Sequence, residues 1–346
     1  LAREDYTAEV ESAIGSVKGA IQALEDAVFE MLQNDTTQRL YLATAPRFEN
    51  VLHSLSFLQK QVAKVTALMR DMLESIEEED RDLPALYETR SVLRRLDDVV
   101  ALCKQFLEWD EHPDHVFWLE KRRLSPTAAK NAVLPFYVQF YQTPLDIAPL
   151  MNSGVFEPMK SLVCTSATLG IGGTFAFWRR RTGVSFVEQE RVLSATFPSP
   201  FPYKTNMLLA VPKDAPFPDS RDFQAYVEQA VVRLIKTAGG RTLLLFTSYD
   251  SLRRACDYAR SSLRSSGITV LRQGDDDRFR LLSAFKDDTA SVLFATDSFW
   301  EGVDVPGDSL SQVVIVKLPF GVPSDPVFAA RSELIEKRGG SPFMEL

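Results

Sequence analysis

The first third of the chain has apolar residues at the spacing of amphipathic helices. One series covers residues 10–31 in alternating steps of four and three, and a second covers residues 51–76 after a break around Pro46. This period places the apolar side chains on one helix face. We therefore expect two helices of about 25 to 30 residues that pack as an antiparallel pair, and a third amphipathic segment over residues 86–107.

After about residue 115 the pattern changes to short apolar runs rich in β-branched and aromatic residues. From residue 219 onward these runs alternate with helix-like stretches. Continuous apolar strands that alternate with helices are typical of a parallel sheet covered on both faces. The expected strands have the sequences VFWLE, PFYVQFYQ, LVCTSATL, NMLLAV, TLLLFTS, TVLRQG, SVLFAT and VVIVKLPF.

Proline residues indicate one boundary in the chain. Residues 197–202, FPSPFP, contain three prolines in six positions, which excludes a helix and favours a linker. We therefore expect three segments, namely a helical subdomain over residues 1–112, a first sheet-forming segment over 113–196 and a second α/β domain over 203–346.

Composition narrows the class of protein. The 346 residues are 45% hydrophobic and carry 39 basic and 47 acidic side chains, for a net charge of -8. This balance disfavours a protein that wraps duplex DNA by bulk positive charge, but it allows a local nucleic-acid groove. No apolar run reaches the roughly 18 residues of a membrane span, and the N-terminus lacks the pattern of a signal peptide. We expect no membrane association and a cytoplasmic location.

The cysteines and the two ends add two expectations. Cys103, Cys164 and Cys256 are odd in number and far apart, which predicts reduced, mostly buried thiols rather than disulfides or a cluster of cysteine ligands. The chain begins at Leu1 and stops in the run SPFMEL. We expect it to be part of a longer protein.

Polar residues follow several of the expected strands, at the sheet edge where ligands bind in open parallel sheets. Ser166, Ala167 and Thr168 follow one strand, although a helix cap or turn would also explain this triplet. Thr247 and Ser248 stand between a strand and a helix, where hydroxyls and free N–H groups can hold a phosphate. A simple capped helix is the alternative there.

A less common pattern occupies residues 291–307, SVLFATDSFWEGVDVPG. An apolar strand ends in a loop that combines carboxylates, a glycine and two adjacent aromatic residues. Such a loop brings carboxylates and backbone donors near one point, and an aromatic side chain there can pack the loop down or stack on a base. A solvated acidic loop is the alternative. The residues concerned are Asp297, Phe299, Trp300, Glu301, Gly302 and Asp304.

The order and spacing of these motifs resemble the superfamily 2 DNA helicases of the XPD-like class, specifically the bacterial DinG branch. The resemblance covers roughly residues 115–346 and rests on TSATL, LLLFTSYDSL, QG, FATDSFWEGVDVPG and KLPFGVPSDP. It implies an α/β fold with RecA-like parallel-sheet motor domains of the P-loop NTPase helicase type. Residues 1–112 would be an inserted all-α helical arch, 113–196 the end of motor domain 1, and 203–346 most of motor domain 2.

The resemblance also implies roles for individual residues. Motif III couples the nucleotide site to DNA, and it matches Ser166, Ala167 and Thr168. Motif V lies between nucleotide and DNA, and the catalytic residues expected on its nucleotide side are Glu301, Gly302 and Asp304. DNA contacts are expected from the motif IV residues Thr247 and Ser248. Apart from the resemblance, the near-neutral charge of residues 113–346 fits a groove that holds a strand by hydroxyls, amides and stacked bases, and we expect Arg272 and Trp300 to contribute to it.

Several features of such helicases are missing from these residues. No G-x-x-x-x-G-K-[ST] phosphate loop occurs, and neither the four-cysteine iron–sulfur motif nor motif VI with its arginines is found. Asp110, Glu111 and His112 superficially resemble a DEAH box, but they follow no apolar strand and run into a proline. We therefore interpret them as a coincidence, reject His112 and His115 as metal ligands, expect no metal site, and interpret His53 as a surface residue.

The parent protein is therefore expected to be an ATP-dependent DNA helicase, a monomer that uses ATP and Mg²⁺. The resemblance implies 5′ to 3′ movement on single-stranded DNA, action on forked or duplex DNA in repair or replication, and a bacterial cytoplasmic location. It allows an iron–sulfur cluster in the parent but none here. This chain alone is expected to be inactive. The alternative is a non-catalytic module with a degenerate RecA-like domain that binds protein or nucleic acid. A nuclease has no support, because no Asp, Glu and His cluster offers a two-metal site.

Overall fold

The chain divides into two compact units. One contains Leu1–Phe197 together with Gly321–Leu346, and the other contains Pro198–Phe320. The boundary after Phe197 falls inside the proline-rich stretch, and the three-segment division expected from the sequence remains a prediction. The computed structural model describes residues 4–76, 83–125 and 135–345.

Three long helices form the N-terminal part of the first unit. The apolar stripe expected from the sequence is buried where they pack, as shown by Leu24, Val28, Val51, Leu55 and Phe106, each at most 6% exposed. Most of the stability of such helices comes from this packing of one face. The helices are α1 (Glu4–Leu32), α2 (Glu49–Glu74) and α3 (Pro84–Leu107).

A three-stranded antiparallel sheet packs against these helices. Its order is β1 (Thr37–Leu40), β2 (His115–Arg123) and β3 (Phe136–Pro144). Alternate side chains of a strand point to opposite faces. Phe117 accordingly joins the core of the three helices, while Trp118 packs with Ala330 and stacks on Tyr141 with ring centroids 4.8 Å apart. Both faces of this sheet are thus covered.

Two of the expected strands are wrong. LVCTSATL and NMLLAV are irregular in the structure, and Val163 and Leu208 within them are 85% and 90% exposed. An apolar run becomes a strand only if a neighbouring backbone satisfies its N–H and C=O groups, and no strand in the described ranges pairs with either run. Short helices lie nearby in the chain, namely α4 (Ala148–Met151), α5 (Ala176–Thr182) and α6 (Tyr203–Asn206).

The second unit contains the parallel sheet expected from the sequence. Its order is β5-β6-β4-β7, and every pairing is parallel. Two helices cover one face, and a third helix with the loop after β6 covers the other. The strands are β4 (Thr242–Leu245), β5 (Thr269–Arg272), β6 (Ser291–Ala295) and β7 (Gln312–Ile315). The helices are α7 (Phe223–Ala238), α8 (Tyr249–Arg264) and α9 (Arg278–Asp287).

The C-terminal residues return to the first unit as α10 (Pro326–Lys337) and α11 (Pro342–Glu345). Arg39 of β1 forms two hydrogen bonds to the carboxylate of Glu333 on α10, at 2.7 and 2.9 Å, and Arg331 Nε donates to the carbonyl of Leu145 at 2.9 Å. These bonds tie α10 to the antiparallel sheet. Across the described ranges, no helix combines the length and apolar character that a membrane span requires.

Candidate functional site

Three motif loops follow strand ends at one edge of the parallel sheet. Leu245 at the end of β4 is in register with Ala295 at the end of β6, and Arg272 at the end of β5 is in register with Phe294. Because all four strands are parallel, their carboxyl ends lie at the same edge. Residues 246–248, 273–274 and 296–304 therefore start from neighbouring points.

Gln273 connects these loops. Its side-chain oxygen accepts hydrogen bonds from the backbone N–H of Thr296 at 2.7 Å and from the Thr296 hydroxyl at 3.0 Å. Its amide nitrogen donates to Ser298 Oγ at 3.2 Å, and its backbone carbonyl accepts from the Tyr249 hydroxyl at 2.9 Å. From the sequence, Gln273 and Gly274 indicated only a turn, so this connection was missed.

Gly274 allows the Tyr249 hydroxyl to pass close to the turn. Its φ of 95° lies in the region that favours glycine, and a Cβ at this position would lie 2.3 Å from the hydroxyl oxygen of Tyr249. A side chain at position 274 would therefore push Tyr249 away from Gln273. The strand-end Gln-Gly pair was the available sequence signal for this arrangement.

Arg278 binds the loop after β6 through hydrogen bonds to its backbone carbonyls. Its Nε donates to the carbonyl of Ser298 at 3.1 Å, and its Nη2 donates to the carbonyls of Glu301 and Gly302 at 3.2 Å each. The guanidinium carbon also lies 5.4 Å from the centroid of the Phe299 ring, within the range of a cation–π contact. Arg278 stands in the first turn of α9, and no sequence pattern singled it out.

The expected motif V residues lie at the exposed side of this loop. Glu301, Gly302 and Asp304 are exposed, whereas Val303 and Val305 between and beyond them are partly buried against the core. Gly302 has a φ of 66°, which favours glycine. The loop thus presents two carboxylates to solvent while its valines anchor it. The side chain of Asp297 lies outside the described part of the structure.

The expected DNA-contact residues of motif IV are both exposed. Thr247 and Ser248 follow β4 directly, and Ser248 Oγ accepts a hydrogen bond from the backbone N–H of Ser251 at 3.4 Å. Ser248 is thus the N-cap of α8, which is the alternative raised by the sequence. A cap of this kind leaves the hydroxyl hydrogen of Ser248 and the Thr247 hydroxyl to face a ligand.

Arg272 and Trp300 have partners within the unit. Arg272 binds Asp275 at 2.6 and 2.9 Å and Asp257 at 3.2 Å. Burial alone would raise the pKa of Asp275, but the hydrogen bonds from Arg272 and Arg260 outweigh it and lower the pKa. Trp300 is half-buried against the core, and its Nε1 is 3.5 Å from the carbonyl oxygen of Phe246. Both side chains are therefore held by protein partners in the described part of the unit.

The motif III triplet lies in the first unit. Ser166 Oγ and Thr168 Oγ1 are 3.1 Å apart, and the backbone N–H of Thr168 donates to Ser166 Oγ at 3.2 Å. Ala167 lies exposed between them. The triplet is therefore a hydroxyl-stabilised turn, and its coupling role remains a prediction.

Comparison with known proteins identifies the class to which the parallel sheet belongs. Residues 231–346 match the family described as the helicase C-terminal domain. This range contains the sheet, the three motif loops and α10, so this part of the chain is similar to helicase C-terminal domains.

The relatives specify the branch. The chain is 32% identical over 302 residues to the 3′-5′ exonuclease DinG of Bacillus subtilis, covering 85% of this chain and 31% of that protein. It is 41% identical over 203 residues to the ATP-dependent helicase DinG of Mycobacterium tuberculosis, covering 58% and 30%. It is 30% identical over 317 residues to the ATP-dependent DNA helicase YoaA of Escherichia coli, covering 92% and 43%. The resemblance to DinG-like helicases is confirmed, over less than half the length of each relative.

Proposed function

We propose that this chain supplies motor and arch elements of an ATP-dependent DNA helicase. The observation that carries the proposal is the helicase C-terminal domain, whose motif loops are joined by Gln273 and Arg278 into one hydrogen-bonded sheet edge. Relatives named as ATP-dependent helicases support ATP and DNA as partners. In the proposal, the enzyme is a bacterial cytoplasmic monomer that moves 5′ to 3′ on single-stranded DNA. Its substrates are forked or duplex DNA.

In this proposal, each motif loop contributes to the coupling between ATP hydrolysis and DNA binding. Glu301, Gly302 and Asp304 are on the nucleotide side, and Thr247 and Ser248 hold the DNA backbone beside the N-terminus of α8, where free N–H groups attract phosphate.

Gln273 is bonded both to the loop after β6 and to Tyr249 at the start of α8. A change in the loop on hydrolysis would thus reach the DNA contact through one residue, whose side chain binds the loop and whose backbone carbonyl binds Tyr249. Ser166, Ala167 and Thr168 are proposed to couple from motor domain 1, and Trp300 and Arg272 to add contacts to the strand.

The residues of this chain do not by themselves fit a complete site for ATP and Mg²⁺. The sequence contains no G-x-x-x-x-G-K-[ST] phosphate loop, and its three cysteines are too few for a four-cysteine iron–sulfur cluster. From motif V, the resemblance assigns Glu301, Gly302 and Asp304 to the nucleotide side, and the carboxylates of Glu301 and Asp304 are exposed.

ATP hydrolysis tests this proposal. The purified 346-residue chain should show no DNA-stimulated ATPase activity, because the phosphate loop is missing from it. The full-length gene product should hydrolyse ATP and unwind a forked duplex that carries a 5′ single-stranded tail. Asp304→Asn in that protein should lower kcat. Asp308→Asn, which changes an exposed carboxylate four residues after Asp304, should not.

Two results would contradict the proposal. The first is ATP hydrolysis by the chain alone, and the second is a full-length protein that binds DNA but neither hydrolyses ATP nor unwinds duplex. The second outcome would favour the non-catalytic binding module instead. Thr247→Ala and Ser248→Ala should weaken binding to single-stranded DNA without abolishing basal ATP hydrolysis.

A further inference from the structure

His112, Asp114 and His115 form a compact cluster of metal-ligand side chains between α3 and β2 in the first unit. Each residue offers one ligand atom, and these three atoms all lie within 4.8 Å of one another. From the sequence, neither histidine was expected to bind a metal, because the segment Asp110–His112 follows no apolar strand as a magnesium-binding box would. Imidazoles in a turn need no such strand to bind a transition metal. We propose that the cluster binds one Zn²⁺ ion.

The backbone of the turn holds the two imidazoles close together. The N–H of His112 donates to the carbonyl of Trp109 at 3.3 Å, and the N–H of His115 donates to the carbonyl of His112 at 3.1 Å. The ring centroids of His112 and His115 are 5.8 Å apart, and each lies 6.3 Å from the ring of the buried Phe117. The cluster thus has an apolar floor that belongs to the helical core.

The chemistry of the three donors selects the metal. Two imidazoles and one carboxylate suit Zn²⁺ and similar transition metals, whereas Mg²⁺ and Ca²⁺ prefer sets of oxygen ligands. Zinc bonds to nitrogen are about 2.0 Å long, so the side chains must converge by roughly 1 Å. Both histidines are half-buried and Asp114 is exposed, which leaves an entry path and room for water at the remaining coordination positions.

Asp114 has a second part in this arrangement. Its Oδ1 lies 2.9 Å from Nδ1 of His115. The carboxylate is thus placed to ligate the metal or to orient His115 so that its Nε2 faces the ion. Carboxylates commonly orient metal-binding histidines in this way. Asp110 and Glu111 immediately before the turn add negative charge that attracts a cation.

Metal titration of the purified chain tests the proposal without any need for helicase activity. Isothermal titration with Zn²⁺ should show one ion per chain, and Co²⁺ at the same site should give visible d–d absorption. His112→Ala and His115→Ala should each weaken binding at least about ten-fold, and Asp114→Asn should weaken it by roughly ten-fold. The matched controls are His53→Ala, which changes the third histidine, exposed on α2, and Cys164→Ser, which removes the exposed thiol. Both should bind as the unchanged chain does.

A measurement on the unchanged chain keeps the test independent of variant folding. Diethylpyrocarbonate modifies accessible imidazoles, and peptide mass spectrometry locates the product. Zn²⁺ should protect His112 and His115 and leave His53 reactive. The proposal is overturned if the unchanged chain binds no Zn²⁺, if binding persists when both histidines are replaced, or if Zn²⁺ protects all three histidines equally.

Discussion

The side-chain oxygen of Gln273 accepts the backbone N–H of Thr296 at 2.7 Å, which joins the end of β5 to the loop after β6. Gln273→Ala removes this acceptor and leaves a partly buried N–H without its partner. The cost of such a group is about 1–3 kcal/mol. We expect the free energy of unfolding, measured by urea denaturation with circular dichroism as the signal, to fall by that amount. The rate of amide hydrogen exchange should rise at residues 296–304.

A surface glutamine serves as the control for this variant. Gln22 on α1 donates a hydrogen bond to Asp26 one turn later, and both side chains are exposed. Gln22→Ala should therefore change the free energy of unfolding by less than about 0.5 kcal/mol. Equal effects of the two substitutions, or unchanged exchange at residues 296–304, would show that Gln273 does not hold the loop.

Substitution of two glycines should distinguish the cost of backbone strain from the cost of steric crowding. Gly274 and Gly267 both have positive φ, at 95° and 74°, but only Gly274 would place a Cβ against Tyr249. Gly267→Ala should cost about 1 kcal/mol from strain alone, and Gly274→Ala should cost more. Adding Tyr249→Phe to Gly274→Ala should recover part of the difference, because it removes the clashing oxygen. Differential scanning calorimetry would measure all three, and an equal loss at both glycines would contradict the crowding argument.

The spacing of apolar residues in the sequence was sufficient to predict the long helices and the parallel sheet. The helical series gave α1, α2 and α3, and alternation of apolar runs with helices gave the parallel sheet. It did not predict β1, because TQRL is short and polar and becomes a strand only through its pairing with β2. For the same reason LVCTSATL and NMLLAV were wrong, since an apolar run does not show whether a partner strand exists.

For the candidate site, the sequence allowed prediction of which loops lie together but not of the side-chain contacts that join them. The motif loops lie at one sheet edge because parallel strands end together. The roles of Gln273 and Arg278 depend on side chains that reach residues more than 20 positions away, which no local pattern encodes. Arg272 illustrates the same limit, because its partner Asp257 comes from α8 through packing of the helix on the sheet.

The Arg39–Glu333 pair should make stability depend on pH. The hydrogen bond from Arg39 lowers the pKa of Glu333, so its contribution is present above the unfolded-state value of about 4.3 and is lost as pH falls through the lower folded value. Because Glu333 is 46% exposed, the contribution should be about 1 kcal/mol or less. In thermal unfolding, Glu333→Gln should therefore be less stable than the unchanged chain at pH 7. The two should be equally stable at a pH below the folded-state pKa of Glu333.

An exposed ion pair provides the comparison. Arg280 and Asp276 are 3.4 Å apart, and their side chains are 72% and 48% exposed. Asp276→Asn should change the midpoint of thermal unfolding little at either pH, because solvent screens such pairs. If Glu333→Gln and Asp276→Asn behave alike across the pH range, the bidentate geometry of the partly buried Arg39–Glu333 pair adds no stability beyond that of an exposed pair.

Thiol reactivity should distinguish the three cysteines. Burial raises the pKa of Cys103 to about 11 and also raises the pKa of Cys256, while Cys164 is exposed. Because the thiolate is the nucleophile, iodoacetamide at pH 8 should alkylate Cys164 in the folded chain and all three thiols in urea. Peptide mass spectrometry would follow the labelling, with Cys164→Ser as the control that removes the fast reaction. Labelling of Cys103 as fast as that of Cys164 would mean that α3 does not stay packed against the helical core in solution.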